Sequence, residues 1–590
     1  MKRARLKHRL DDWHEQMRLH LSRPDALLQL SLIGLLAGLL SGAVIVGFRL
    51  LVESSQDAFL PGEGADNYEG LSDWLRFALP VAGGLLLAAL FRWGADGLQM
   101  LGIARVMERM AFHQGHLTER GFVVQFIGAA VAIASGHSVG REGPHVYLGA
   151  AASSLMGQRL ALPNNSIRTL VGCGTAAGIA ASFNTPLAGV VFALEVVMME
   201  YTVASFIPVI LAAVSANVLS VAVFGSQPAF SVPDMPAFVV SELPSVVVLG
   251  LVAGGVSALY VHLLQQVAQR SAGIAIWWRM LLAGVLVGLI ALAVPQVMGI
   301  GYDTVDSALL GQLGVGSLLI ILLAKLLATG SCIGLGVPGG MIGPALFLGA
   351  CLGSLLGLLA GQLFPGVAAS PALFALLGMG AMMGASLQAP LAALTAMMEL
   401  THSPGIVMPG MLVIVVASLT ASEVFGKQSL FLSMLRASGK ELEASPVQQA
   451  LRRVGVASVM AKNFVRVDAQ VSRALVESVL DAEIDWIIID QDEQPGQLLA
   501  SVELAKYLHS EQAQGQDQFD LLEIPAQRLQ LAAVSLQANL QEAHLLLQQG
   551  SVDALYVFGR FGGREERLYG VLTPELVDSV YRYRSPVSPV

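Results

Sequence analysis

Between residues 136 and 150 the chain reads GHSVGREGPHVYLGA. Arg141 and Glu142 stand side by side, fenced by glycines and Pro144, and the sequence on both sides is almost purely apolar. A carboxylate in such surroundings is a functional candidate, because an ionisable group inside a membrane-spanning region is costly to keep there. Glycine and proline break a helix, and the helix that starts anew presents backbone N–H groups with no partner inside it. Those groups and the helix dipole suit an anion. A glutamate carboxylate placed there competes with a permeant anion for the same donors. Arg141 is expected to be structural, or part of the field around that place. His137 and His145 lie close by without metal-ligand spacing, and each reads as a satisfied helix histidine.

The stretch has a partner about two hundred residues further on. Gly140 to Pro144 fits G-x-x-G-P, and so does Gly340 to Pro344. Downstream of the first lies FNTPLAGVVFALE, Phe183 to Glu195, and downstream of the second LQAPLAALTAMME, Leu387 to Glu399. Nine positions separate Pro186 from Glu195, and nine separate Pro390 from Glu399. Two matched pairs in the same order indicate an internal duplication. Duplicated halves with Gly/Pro-interrupted apolar segments point to a transport site near mid-membrane. Irregular backbone at that depth is tolerable where it lines a cavity or is buried in protein.

The elements that must hold these residues are membrane helices. Of 590 residues 54% are hydrophobic and 13% charged, where a soluble domain carries about 25% charged residues. The runs 27-LLQLSLIGLLAGLLSGAVIVGF-48 and 311-GQLGVGSLLIILLAKLLATG-330 are long enough to span. Residues 1–24 are basic and polar, with no cleavable signal peptide, and read as a cytoplasmic helix by the positive-inside rule. Cys173, Cys332 and Cys351 lie in apolar segments and read as packing residues. From residue 441 onward there are 21 acidic and 12 basic residues, which leaves 22 of each sign before it out of totals of 43 and 34. An acidic soluble part therefore follows a neutral membrane part.

These motifs resemble the CLC family of chloride channels and proton-coupled chloride exchangers. GREGP, Gly140 to Pro144, matches the family's gating-glutamate motif; GGMIGP, Gly339 to Pro344, is similar to its second filter motif, usually GGIFAP; FNTPLAG, 183–189, is a third match. The resemblance covers roughly residues 25–436. It implies a polytopic α-helical membrane protein of inverted-topology repeats, working as a homodimer in the cell's inner (plasma) membrane with one pore per subunit. It also implies that Glu142 is the gate, and that backbone around Arg141, Glu142, Gly143, Met341, Ile342 and Gly343 lines the anion path. Counting back from Glu142, the first filter motif, GSGIP, falls on Met100-Leu101-Gly102-Ile103-Ala104. The serine that usually contacts the central anion is then Leu101, beside Gly102 and Ile103, and the usual tyrosine is Phe431. Both hydroxyls are missing. Exchangers usually carry two successive acids where this chain has Glu195 and Val196. Valine at the second, proton-relay position is common in the family's channels. Glu195 is the nearest acid, with a structural glutamate at a helix end as its other reading.

Residues 437–590 hold two similar units, 457–508 and 521–583, each ending in a β-rich run, a turn and a helix. The polar stretch HSEQAQGQDQFD, 509–520, reads as the linker between them. The pair resembles a cytoplasmic tandem CBS module of α+β type. Such pairs often bind adenine nucleotide through Ser/Thr and Asp; the matching positions are Ser501 with Glu503 and Thr573 with Glu575, with Glu in place of Asp.

The chain is thus expected to carry chloride or a related small anion, channel-like and gated by Glu142. The alternatives are proton-coupled exchange, or selectivity for bicarbonate or nitrate. No cofactor is required and no nucleic acid is among the expected partners, which are the anion, the bilayer and a second copy. No H-E-x-x-H or G-x-S-x-G supports a hydrolase, and the membrane part has few acids for a magnesium path.

Overall fold

The computed structural model describes residues 15–581, apart from 24–25, 62–66, 95–100, 227–229, 231, 234–239, 364–369, 443–445, 492–493, 551 and 560–566. Met100 of the first filter motif and the N-terminal residues up to 14 lie outside the described residues. Two compact units emerge. One comprises residues 30–158 and 168–442, and the other the residues up to 29, 159–167 and those beyond 442.

The first unit is helical. Among the described residues eight helices are long and apolar enough to cross a membrane. The duplication is visible in the backbone. Gly136 and Gly336 both have positive φ, 78° and 94°, a conformation glycine adopts without steric cost. Each follows a helix end closed in the same way: His137 N–H donates to Ala132 (3.0 Å) and Val337 N–H to Cys332 (3.1 Å). New helices then start at Glu142 and at Ile342, running to Arg159 and Leu363. Pro144 and Pro344 fall in their first turns, where no intrahelical N–H is lost.

Small residues bring the following helices into backbone contact. A Cβ on Gly149 would stand 2.3 Å from the Gly174 carbonyl oxygen, and one on Gly349 would stand 2.4 Å from that of Gly378. Close crossing over small residues is how helices associate where lipid removes the hydrophobic drive. The second matched pair repeats too. Asn184 and Gln388 are both left-handed, and each is followed within two residues by a proline-led helix, Pro186–Phe192 and Pro390–Thr401. The first of these continues as a π-helix over Ala193–Met198.

The second unit carries a six-stranded sheet in the order β1-β3-β4-β6-β7-β8. Its strands are β1 (Phe464–Asp468), β3 (Trp486–Gln491), β4 (Gln494–Ala500), β6 (Arg528–Ser535), β7 (Ala554–Gly559) and β8 (Arg567–Leu572). A separate pair joins β2 (Gln470–Ser472) to β5 (Gln518–Asp520). The two halves match: β1 runs parallel to β3 and β3 antiparallel to β4, as β6 does with β7 and β7 with β8. Helices Ser501–Leu508 and Pro574–Tyr581 close them. The stretch 509–520 is more than a linker, because it contains β5 and the turn Glu511–Ala513. Residues 159–167 belong here through bonds from Asn164 to the Gln537 carbonyl and to Glu542, both 2.9 Å. The segment 15–21 is helical, and the Tyr569 hydroxyl donates to Glu15 at 2.9 Å. Burial and that acidic partner push the Tyr569 phenol up to about 12.

Candidate functional site

The two G-x-x-G-P motifs meet. Gly140 and Gly340 form an antiparallel bridge, Gly140 N–H donating to the Gly340 carbonyl (2.9 Å) and Gly340 N–H to that of Gly140 (2.6 Å). The pairing sets the starts of the Glu142 and Ile342 helices beside one another. Glu142 is fully buried. Its Oε2 accepts the Gly343 N–H at 3.0 Å, and its Oε1 accepts the Tyr302 hydroxyl at 2.5 Å. The carboxylate of one repeat therefore occupies the N-terminal end of the other repeat's helix, where an anion is favoured by dipole and free N–H alike. A Cβ on Gly343 would stand 2.9–3.0 Å from both carboxylate oxygens, so a side chain there would push the carboxylate off its amide. Of the expected path-lining residues, Gly343 is the one whose amide holds Glu142; Met341 and Ile342 lie just before it and are buried, as is Gly143.

Arg141 lies beside this contact, against the ring of Tyr302. Its guanidinium lies 3.8 Å from Glu53 and stacks over the Tyr302 ring at 5.0 Å. Arg141, Tyr302, Arg49, Glu53, His145 and Asn184 line one cavity of about 270 Å³. The histidine expectation needs correcting here. His145 is fully buried with neither ring nitrogen hydrogen-bonded. His137 is not helical; its Nδ1 lies 3.0 Å from the Ser135 hydroxyl and its Nε2 has no partner.

At the first filter motif a correction is needed as well. The Gly102 N–H donates to the Gln125 side chain at 2.8 Å, so that amide is occupied and does not face an anion. Gly102 has φ 74° and caps the helix Ile103–Phe112, and Leu101 before it is half-buried. The helix Leu430–Ala437, which carries Phe431, packs against this helix. Phe431 is fully buried, edge-on to Phe192 at 6.4 Å between ring centroids. Neither position offers a hydroxyl. Leu101→Ser with Phe431→Tyr is expected to tighten chloride binding by about fivefold to a hundredfold, since each of the two added hydroxyls contributes about 0.5–1.5 kcal/mol as a net hydrogen bond. Calorimetry on the double variant checks this, and an unchanged affinity places the central anion away from these two positions.

Glu195 is committed elsewhere. Its oxygens accept the N–H groups of Leu391 (3.2 Å) and Ala392 (2.7 Å), at the start of the helix Pro390–Thr401. Glu399 returns the arrangement, accepting from Leu187 (2.9 Å) and Ala188 (2.8 Å). The two repeat-related carboxylates thus cap each other's proline-led helices, which favours the structural reading of Glu195 over the relay. Val196 follows it inside the π-helix, so the 100° step of an α-helix does not describe their separation. Both residues line a cavity of about 300 Å³ with Lys427, Gln428 and Ser429.

Tyr302 and Lys325 were not found from the sequence. Lys325 is fully buried and donates to the carbonyls of Val297 (3.1 Å), Gly299 (3.1 Å) and Ile300 (3.5 Å), with its ammonium 4.6 Å from the Phe347 ring centroid. It fixes the turn that delivers Tyr302. A lone lysine in the apolar run 311–330 was the available signal. In the soluble unit Glu503 pairs with Lys506 at 2.5 Å, which draws it away from the nucleotide role. Ser501 is buried with an unpartnered hydroxyl, Thr573 is buried and Glu575 is exposed.

Paired interrupted helices around a buried carboxylate, on a duplicated membrane scaffold, define a membrane transporter built for anions. The family model described as voltage gated chloride channel matches residues 83–422, and the chain belongs to that family. It is an anion transporter rather than an enzyme. A ClcB-like protein of Ralstonia nicotianae is 35% identical over 354 residues, 59% of this chain and 82% of its own. The H(+)/Cl(-) exchange transporter ClcA of Vibrio cholerae is 30% identical over 429 residues, 70% of this chain and 89% of its own. The crystal structure of a slow cyanobacterial Cl-/H+ antiporter superposes with TM-score 0.62 at 22% identity, over 69% of this chain and 97% of that one. That last likeness speaks for the fold. The sheet-containing C-terminal unit is consistent with a CBS module.

Proposed function

We propose that the chain exchanges chloride for protons, with Glu142 as the gate that both ions contend with. The carrying observation is the buried Glu142 carboxylate seated on the Gly343 amide, in the place a permeant anion would take. Exchange, rather than the channel-like conduction expected from Val196, is supported by the ClcA relative, whose name is that of an exchanger. In this reading the cavity beside Arg141 faces outward and the cleft beside Glu195 inward. The chain sits in the plasma membrane as a homodimer with its N-terminus and soluble unit cytoplasmic. Because Val196 carries no proton and Glu195 is held by two amides, the inner proton route runs through water in that cleft. Adenine nucleotide forms no part of this reading.

Channel-like chloride conduction is the second reading, and Val196 together with the capped Glu195 favours it. Proteoliposomes with an imposed chloride gradient separate the two. Exchange predicts sustained uphill proton movement at a fixed ratio to chloride, surviving Glu195→Gln. Chloride flux without proton movement establishes the channel, and pumping lost with Glu195→Gln makes Glu195 the relay. Replacing chloride by bicarbonate or nitrate in the same assay reads selectivity.

A further inference from the structure

Two hydroxyls are missing where the family usually has them, at Leu101 and Phe431, and one hydroxyl is present at the gate itself, that of Tyr302. Among the described residues, Tyr302 is the side chain that donates to Glu142. Its ring is fixed from two sides, by the Arg141 guanidinium at 5.0 Å and by Phe230 with ring centroids 4.7 Å apart. Its backbone is fixed by the turn that Lys325 ties down, with Gly301 at φ 80° immediately before it. The hydroxyl is therefore held in position whether or not Glu142 is there to accept it.

We infer that the Tyr302 hydroxyl is the side-chain donor for which Glu142 and the transported anion compete. With the gate closed, Tyr302 O–H and Gly343 N–H each hold one carboxylate oxygen. When Glu142 leaves, the same two donors converge on the vacated place, and a small anion accepts both. The inference rests on Glu142 being the gate and adds to that reading a specific anion ligand.

Other charged and titratable groups face this place. Arg141 immediately precedes the helix that begins at Glu142, and His145 belongs to it. Arg49 and Glu53 come from the helix Leu27–Asp57 across the cavity. Tyr260, on the helix Leu243–Ser271, is within electrostatic reach of Glu142. Lys325 lies behind the turn and Asp303 follows Tyr302 in sequence. Tyr302→Phe leaves all of these in place, together with both ring contacts, and removes one donor.

The test uses the full chain in two backgrounds. In otherwise wild-type protein, Tyr302→Phe weakens the hold on the ionised carboxylate. The pH of half-maximal chloride efflux from proteoliposomes then moves upward by about one to two units, as loss of a hydrogen bond to a charged group predicts. In the Glu142→Ala background no carboxylate competes, and Tyr302→Phe is expected to lower chloride affinity by about threefold to tenfold in calorimetry. An unchanged efflux midpoint, or an unchanged affinity in the Glu142→Ala background, overturns the inference. The gate reading is judged separately. If Glu142→Gln stays as pH-dependent as wild type, Glu142 is not the gate. If Glu142→Gln loses that dependence while Tyr302→Phe behaves as wild type, only the inference about Tyr302 falls.

Discussion

Glu142→Gln is expected to raise chloride efflux at neutral pH by about tenfold or more and to remove its dependence on pH. The size follows from what the charge contributes. A hydrogen bond to an ionised acceptor is roughly twice as strong as a neutral one, and a negative group at a helix N-terminus gains about 0.3–2 kcal/mol from the dipole. Glutamine retains an oxygen for Gly343 and Tyr302 but forfeits both terms, while a competing anion keeps them. The amide also cannot take up a proton, so acid no longer changes the occupancy of the place. Under exchange the same variant loses proton movement while chloride continues. Efflux measured across acidic and neutral pH decides the matter, and a wild-type pH profile in this variant would remove Glu142 from the role.

The second large effect is on stability. Lys325→Met is expected to lower the melting temperature of the purified protein far more than any substitution at Glu142. Three backbone carbonyls, those of Val297, Gly299 and Ile300, depend on the buried ammonium. A buried polar group left without a partner costs about 1–3 kcal/mol. The contact with Phe347 adds about 0.5–2 kcal/mol. Methionine matches the volume and supplies none of this. A melting curve that coincides with wild type would mean water replaces the ammonium on those carbonyls.

Much of the fold was legible because it is written twice. The two G-x-x-G-P motifs and the two P-L-A segments lie at near-equal separation, and that predicted halves meeting at broken helices, as the Gly140–Gly340 bridge does. Glu142 was legible because a carboxylate in apolar sequence stands out. What one repeat does to the other was harder to read. Nothing local to Glu195 reveals that its acceptors are met by amides at Leu391 and Ala392, since the contact depends on how the halves close. The same holds for Tyr302, which is separated from Glu142 by 160 positions. His145 misled for the opposite reason: a histidine on a helix ordinarily finds a hydrogen-bond partner, and here the cavity wall offers none. Gln125 went unnoticed because a glutamine in an apolar helix carries no motif, yet it takes the amide of Gly102.

The crossed caps at Glu195 and Glu399 make the two halves hostages to one another. Each half ends its own proline-led helix with a glutamate whose service is rendered abroad, to the first amides of the other half's helix. Damage at Glu195 is therefore felt first at Leu391 and Ala392, and damage at Glu399 at Leu187 and Ala188. The burden falls on the two glutamates alone, since any residue but proline supplies the amides they meet, and so each half keeps its acid for the sake of the other however far the two copies diverge.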